Sequence, residues 1–118
     1  MTTVTQGKIG EDMACEYLKK QGYKIIERNF RIRGGEIDIV AIDGSTLVYV
    51  EVKTRTSHIF GSAIEAVTPW KLKFLVRTAK FYKNARKNLP QLERIDVLGI
   101  DLIDADPKYE LVKNAYPI

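Results

Sequence analysis

Asp38, Glu51 and Lys53 are the side chains of this chain whose types and spacing suit chemistry. They lie in EIDIVAIDGSTLVYVEVKTR, residues 36 to 55. Two carboxylates held on one face repel each other and need a proton, a basic neighbour or a divalent cation between them. Their oxygens are hard donors of the kind Mg²⁺ or Mn²⁺ accepts. Lys53, two residues beyond Glu51, points to the same side about 7 Å further along a strand. An ammonium there can orient a water, help deprotonate it, or stabilise charge growing on a phosphate. Cation, positioned water and fixed positive group are the parts of metal-assisted phosphodiester hydrolysis. The plain alternative is a solvated Glu-x-Lys charge network on a strand surface. The Ile- and Val-rich surroundings weigh against it, because charges among apolar residues are costly unless paired or metal-bound.

The chemistry depends on register. Residues 36 to 42 and 47 to 54 alternate as two strands, and Asp43-Gly44-Ser45-Thr46 between them is a hairpin signal. Ile37, Ile39 and Ala41 share one parity; Glu36, Asp38 and Val40 share the other. With Asp43-Gly44 as a two-residue loop, Asp38 opposes Tyr49 and Glu51 is its diagonal neighbour. With a loop of residues 43 to 46, Asp38 opposes Glu51 directly. Both place Asp38, Glu51 and Lys53 on one face; a three-residue loop would send Asp38 to the other.

Other elements must hold this hairpin. Residues 6 to 21 read as an amphipathic helix, with Ile9, Met13, Ala14, Tyr17 and Leu18 at helical spacing and Gly22 at its end. Glu11 falls at the edge of that stripe, while Asp12 points away from it. Cys15 suits a small buried hydrophobe. Residues 23 to 32 alternate imperfectly as a first strand, and Arg33-Gly34-Gly35 is a turn. Residues 55 to 67 connect onward with one short helical turn, and His58, the only histidine, is placed in that loop. Thr68-Pro69 signals a capped helix start. The helix runs to about Lys87, with Trp70, Phe74, Leu75, Ala79 and Tyr82 as its expected apolar stripe. Residues 93 to 103 and 109 to 115 supply two more strands, separated by Asp104-Ala105-Asp106-Pro107. The order helix, three strands, helix, two strands predicts an α/β fold with a central mixed sheet flanked by helices.

At 118 residues, 45% hydrophobic and 29% charged, the chain fits one globular domain, residues 1 to 118. One cysteine excludes an internal disulfide and a Cys-rich zinc site and suits the reducing cytoplasm. The N-terminal residues lack the apolar core of a signal peptide, and no run reaches the length of a membrane span. The net charge of +4 is unevenly spread. Residues 71 to 87 carry seven basic residues and no acid, among them Lys71, Lys73, Arg77 and Lys80, whereas the other positions hold twelve basic and fifteen acidic residues. Such a concentration attracts a polyanion such as nucleic acid, although a lone basic helix is also an ordinary solvated face.

Asp38, twelve residues, then Glu51-Val52-Lys53 resembles the PD-(D/E)xK pattern of restriction-endonuclease-like nucleases, with Ile37 in place of the proline. Gly10-Glu11, Gly22-Tyr23, Arg28-Asn29, Gly35 to Asp38, Val50 to Arg55, Lys71 and Asn114-Ala115 resemble the YraN-like family of small bacterial proteins, grouped with archaeal Holliday-junction resolvases. The resemblance implies a restriction-endonuclease-like fold. It implies Glu11, Asp38 and Glu51 as ligands of Mg²⁺ or Mn²⁺, catalytic roles for Asp38, Glu51 and Lys53, and Glu36 as a further ligand or supporting group. Arg55, Lys71, Lys73, Arg77 and Lys80 become expected nucleic-acid contacts. The expected activity is a metal-dependent endonuclease on DNA, including branched or damaged structures. The other expectations are a nucleic-acid-binding module without cleavage and an interaction subunit. Resolvase-like relatives are dimers, so a homodimer is compatible with the resemblance. Nothing in the chain resembles a reader of base edges.

Overall fold

The hairpin forms with the second of the two registers. In the computed structural model, which describes residues 3–57 and 61–118 and the side chains of the first helix from residue 7 onward, β2 (Gly35–Asp43) pairs antiparallel with β3 (Thr46–Arg55). Asp43 opposes Thr46 and Ile42 opposes Leu47, so Gly44 and Ser45 alone make the turn. Gly44 takes a positive φ of 63°, which a side chain would resist.

Around it stand α1 (Thr3–Lys20), β1 (Lys24–Ile32), a 3₁₀ turn (Ile64–Ala66), α2 (Pro69–Ala85), β4 (Leu92–Asp101) and β5 (Lys108–Tyr116). The strands form one five-stranded sheet in the order β1-β2-β3-β4-β5. Only β3 and β4 run parallel. A parallel pair needs a long crossover, and the 3₁₀ turn and α2 provide it. The order is the α-β-β-β-α-β-β expected from the sequence, and no described helix is long and apolar enough to cross a membrane. His58 lies outside the described residues.

Each face of the sheet carries one helix. α1 buries Ala14, Cys15 and Leu18 over Ile39, Ala41, Val48, Val50, Leu98 and Ile100. It stops at Gly22, where the Tyr23 N–H reaches the Leu18 carbonyl at 2.9 Å and the Gly22 N–H reaches that of Lys19 at 3.0 Å. α2 starts at Thr68, whose hydroxyl accepts from the Lys71 N–H at 3.3 Å. It buries Leu72, Leu75, Ala79 and Tyr82 over Ile37, Val40, Leu47, Tyr49, Ile95 and Val97. Full burial of such a side chain contributes about 1.5–3 kcal/mol. The expected stripe of α2 is corrected here: Trp70 and Phe74 are exposed, and Leu72 takes their place in the core. Periodicity finds an apolar helix face, but the sheet decides which of two such faces it covers.

The alternation of β1 and β2 is also corrected. Ile37 lies in the core under α2, whereas Ile39 and Ala41 lie in the core under α1. The strand therefore changes sides around Asp38. Across from it in β1 stands Asn29, with a left-handed φ of 55°, between the pairs Arg28↔Ile39 and Phe30↔Ile37. A left-handed residue inside a strand breaks the pleat and redirects side chains on both sides of it.

Candidate functional site

The kink places Asp38 where β2 and β3 stop pairing. Their ladder ends at Ile39↔Val50, although both strands continue. Past that point the Val52 N–H donates to the Asp38 carboxylate at 2.8 Å. The side chain thus takes a backbone donor that a regular ladder would have used. Glu11 reaches the same place from α1, and Glu36 from the start of β2. One carboxylate oxygen from each of Glu11, Glu36 and Asp38 lies within 4.8 Å of the others.

Two glycines allow the helices to come this close. A Cβ on Gly10 would stand 2.6 Å from the Thr54 Cγ2, so α1 rests directly on β3 beside Glu11. A Cβ on Gly35 would stand 2.1 Å from the Thr78 Oγ1, so α2 rests on β2 beside Glu36. No real Cβ tolerates either contact.

Glu51 lies outside the trio and lines a cleft of about 250 Å³ with Glu36, Lys71, Phe74 and Thr78. Burial and the neighbouring Glu51 charge push the Asp38 carboxyl up to about 8, with Glu36 and Glu11 adding to the effect. Glu51 is also raised, by burial first, with Lys71 and Lys53 pulling the other way. Glu11 has a cationic neighbour in Arg28 at 3.8 Å, but that guanidinium sits closer to Asp12, at 2.7 Å. Glu36 meets Arg31 at 3.4 Å in an exposed pair. The cluster's donors are all oxygen. Oxygens so spaced can share one Mg²⁺ or Mn²⁺, whose ligand distances are about 2.0–2.6 Å.

The structure brings Glu11 and Asp38 together. It gives Glu36 a more central place than the sequence suggested and sets Glu51 beside the trio. Lys53 follows Glu51 on β3 and Arg55 follows Lys53; the Arg55 Nε is buried without a hydrogen-bond partner among the described residues. Lys71 lines the cleft, Lys73 lies over the Trp70 ring, and Arg77 and Lys80 are exposed on α2.

Sequence reasoning missed a second polar group, centred on β4. Asp96 is fully buried and accepts from the Tyr23 hydroxyl at 2.6 Å, the Arg94 Nε at 2.8 Å and the Asn114 N–H at 3.0 Å. Its signal was an acid on the parity of Leu98 and Ile100, where a solvated face would not be apolar.

Fold and site together define a small α/β protein with a carboxylate-lined cleft between the sheet and a basic helix. The model of uncharacterised protein family UPF0102 matches residues 10–100. A UPF0102 protein of Geobacter metallireducens is 45% identical, over 95% of this chain and 92% of its own length. One of Geobacter sulfurreducens is 44% identical over 95% and 88%, and one of Herminiimonas arsenicoxydans 50% identical over 80% and 76%. The chain belongs to the UPF0102 family, also called the YraN family.

Proposed function

We propose that this protein is a metal-dependent endonuclease that hydrolyses phosphodiester bonds in DNA, branched or damaged structures included. The carrying observation is the convergence of Glu11, Glu36 and Asp38 within 4.8 Å, with the Asp38 carboxyl raised by burial and by the neighbouring carboxylate charges. The resemblance to restriction-endonuclease-like nucleases supports the same reading. Glu11, Glu36 and Asp38 would hold the ion, with Glu51 beside them. A bound divalent cation supplies Lewis acidity, lowering the pKa of a water and neutralising charge on the phosphate. The chain's own residues do the rest. Val52 fixes the Asp38 carboxylate through its N–H, so one oxygen keeps its orientation while the other stays available. Lys53 and Lys71 flank Glu51 and present ammonium groups to a phosphate entering the cleft. Arg55, two residues beyond Lys53 on β3, would add a further positive charge along the phosphate path.

The test uses purified protein with Mg²⁺ or Mn²⁺ on single-stranded, duplex, flapped and four-way DNA. Cleavage should vanish with EDTA and fall about a hundredfold or more in Asp38→Asn and in Glu51→Ala. Cleavage that survives both substitutions removes the site. A second reading, a nucleic-acid-binding module without cleavage, rests on the basic α2. Salt-sensitive DNA binding indifferent to divalent ions and to Asp38→Asn would favour it.

A further inference from the structure

α2 exposes an apolar stripe that the fold does not use. Trp70, Phe74 and Phe81 are 66%, 43% and 52% exposed. With Arg77 they succeed one another at spacings of four, three and four, which on a helix is one face. The stripe covers about 16 Å of helix. Trp70 and Phe74 meet edge to face at 5.3 Å, and the Lys73 ammonium lies 5.7 Å from the Trp70 ring. Phe74 also lines the cleft holding Glu36 and Glu51, so the aromatic stripe leads into the carboxylates.

Charge selects the occupant. A second copy docking the same stripe would set Lys71, Lys73, Arg77 and Lys80 against their own counterparts, on a segment with no acid between residues 71 and 87. A polynucleotide fits both features, because its phosphates pair with the basic residues and its free base faces stack on the rings. Bases inside a duplex already stack on one another and have no face to offer a convex helix. We infer that the Trp70–Phe74–Phe81 face of α2 is a stacking track for unpaired nucleotides, which feeds a single-stranded segment into the carboxylate cleft. This deepens the nuclease reading and rests on it for what happens in the cleft, but binding along the track needs no cation.

Trp70 is the only tryptophan, so its emission reports stacking directly. The full chain in EDTA is titrated with a labelled oligothymidine and with a blunt duplex of equal length, following Trp70 emission and label anisotropy. The single strand should quench Trp70 and the duplex should bind without comparable quenching. Trp70→Ala and Phe74→Ala should each weaken single-strand binding about tenfold while changing duplex binding less than about twofold. Equal losses on both substrates overturn the inference, as does single-strand binding that leaves Trp70 unquenched. So does a dimeric parent that these substitutions convert to monomers, since a second copy would then be the occupant. The quenching experiment uses the unmodified protein, so a variant that folds poorly leaves the inference open to refutation. The two readings fail separately. Quenching without Mg²⁺-dependent cleavage of any DNA keeps the track and removes the nuclease, and cleavage without quenching does the reverse.

Discussion

β2 carries one aspartate near its middle and one as its last residue, and the two are treated oppositely. Asp43 faces the Arg94 guanidinium at 2.7 Å and Lys113 at 3.5 Å, and the Arg94 hydrogen bond holds its carboxyl below the usual range. The same guanidinium serves Asp96, which is fully buried yet also accepts from the Tyr23 hydroxyl and the Asn114 N–H. Asp38, five residues from Asp43 and about 17 Å away along the strand, has one backbone donor and faces Glu11, Glu36 and Glu51. Burial of acids is common to both groups, so burial does not distinguish them. The difference is satisfaction. The Asp43–Arg94–Asp96 group answers its charges within the chain, whereas Asp38 lies among other carboxylates with one backbone donor, the Val52 N–H.

The largest expected effect abolishes that difference. Arg94→Ala strips Asp96 of its cation and makes the answered group resemble the unanswered one. Urea unfolding should show a loss of about 3–5 kcal/mol, the usual consequence of orphaning one member of a buried ion pair. A loss under about 1 kcal/mol would mean that Asp96 is not held by Arg94.

An intermediate effect separates the helix from the carboxylate it carries. Ala is ordinarily about 1 kcal/mol better than Gly within a helix. Gly10→Ala should nevertheless destabilise by about 1–3 kcal/mol, because the new methyl meets Thr54. It should also reduce the melting-temperature gain on adding Mg²⁺, since Glu11 moves with α1. Combining it with Thr54→Ser removes the Cγ2 and should restore much of both. A Gly10→Ala protein more stable than its parent would show that α1 can shift freely.

The smallest effect is a pH slope. Burial and the Glu51 charge push the folded Asp38 carboxyl up to about 8, against about 3.9 when unfolded. Between those values the folded chain binds more protons, so stability falls as pH rises. Glu27 and Asp43, both lowered by arginine hydrogen bonds, act the other way, but only as pH drops below about 4. In EDTA the melting temperature should therefore decline from pH 5 to pH 9. The Asp38 share is about 1–2 kcal/mol after allowance for solvent screening, and Asp38→Asn should remove it. A melting temperature that climbs over this range, or a slope indifferent to Asp38→Asn, would end the contrast between the two aspartates.

Local signals carried most of the architecture. Thr68-Pro69, Gly22 and the Asp-Gly hairpin act over a few residues, and alternation over five to ten residues identifies a strand, so element order and type were legible in the chain. Asp38, Glu51 and Lys53 were legible as chemistry for the same reason: identity and spacing suffice to suggest a role. What belongs to tertiary structure is which side of an element meets what. The kink at Asn29 and Asp38 moved Ile37 to the other core and brought Glu36 to the centre of the carboxylates, because a left-handed residue overrides strand parity. Trp70 and Phe74 read as core until the sheet took Leu72 and Leu75 instead. Composition and periodicity are properties of the chain. Whether a buried charge is answered, or an aromatic face covered, depends on residues far apart in sequence, and only packing brings them together.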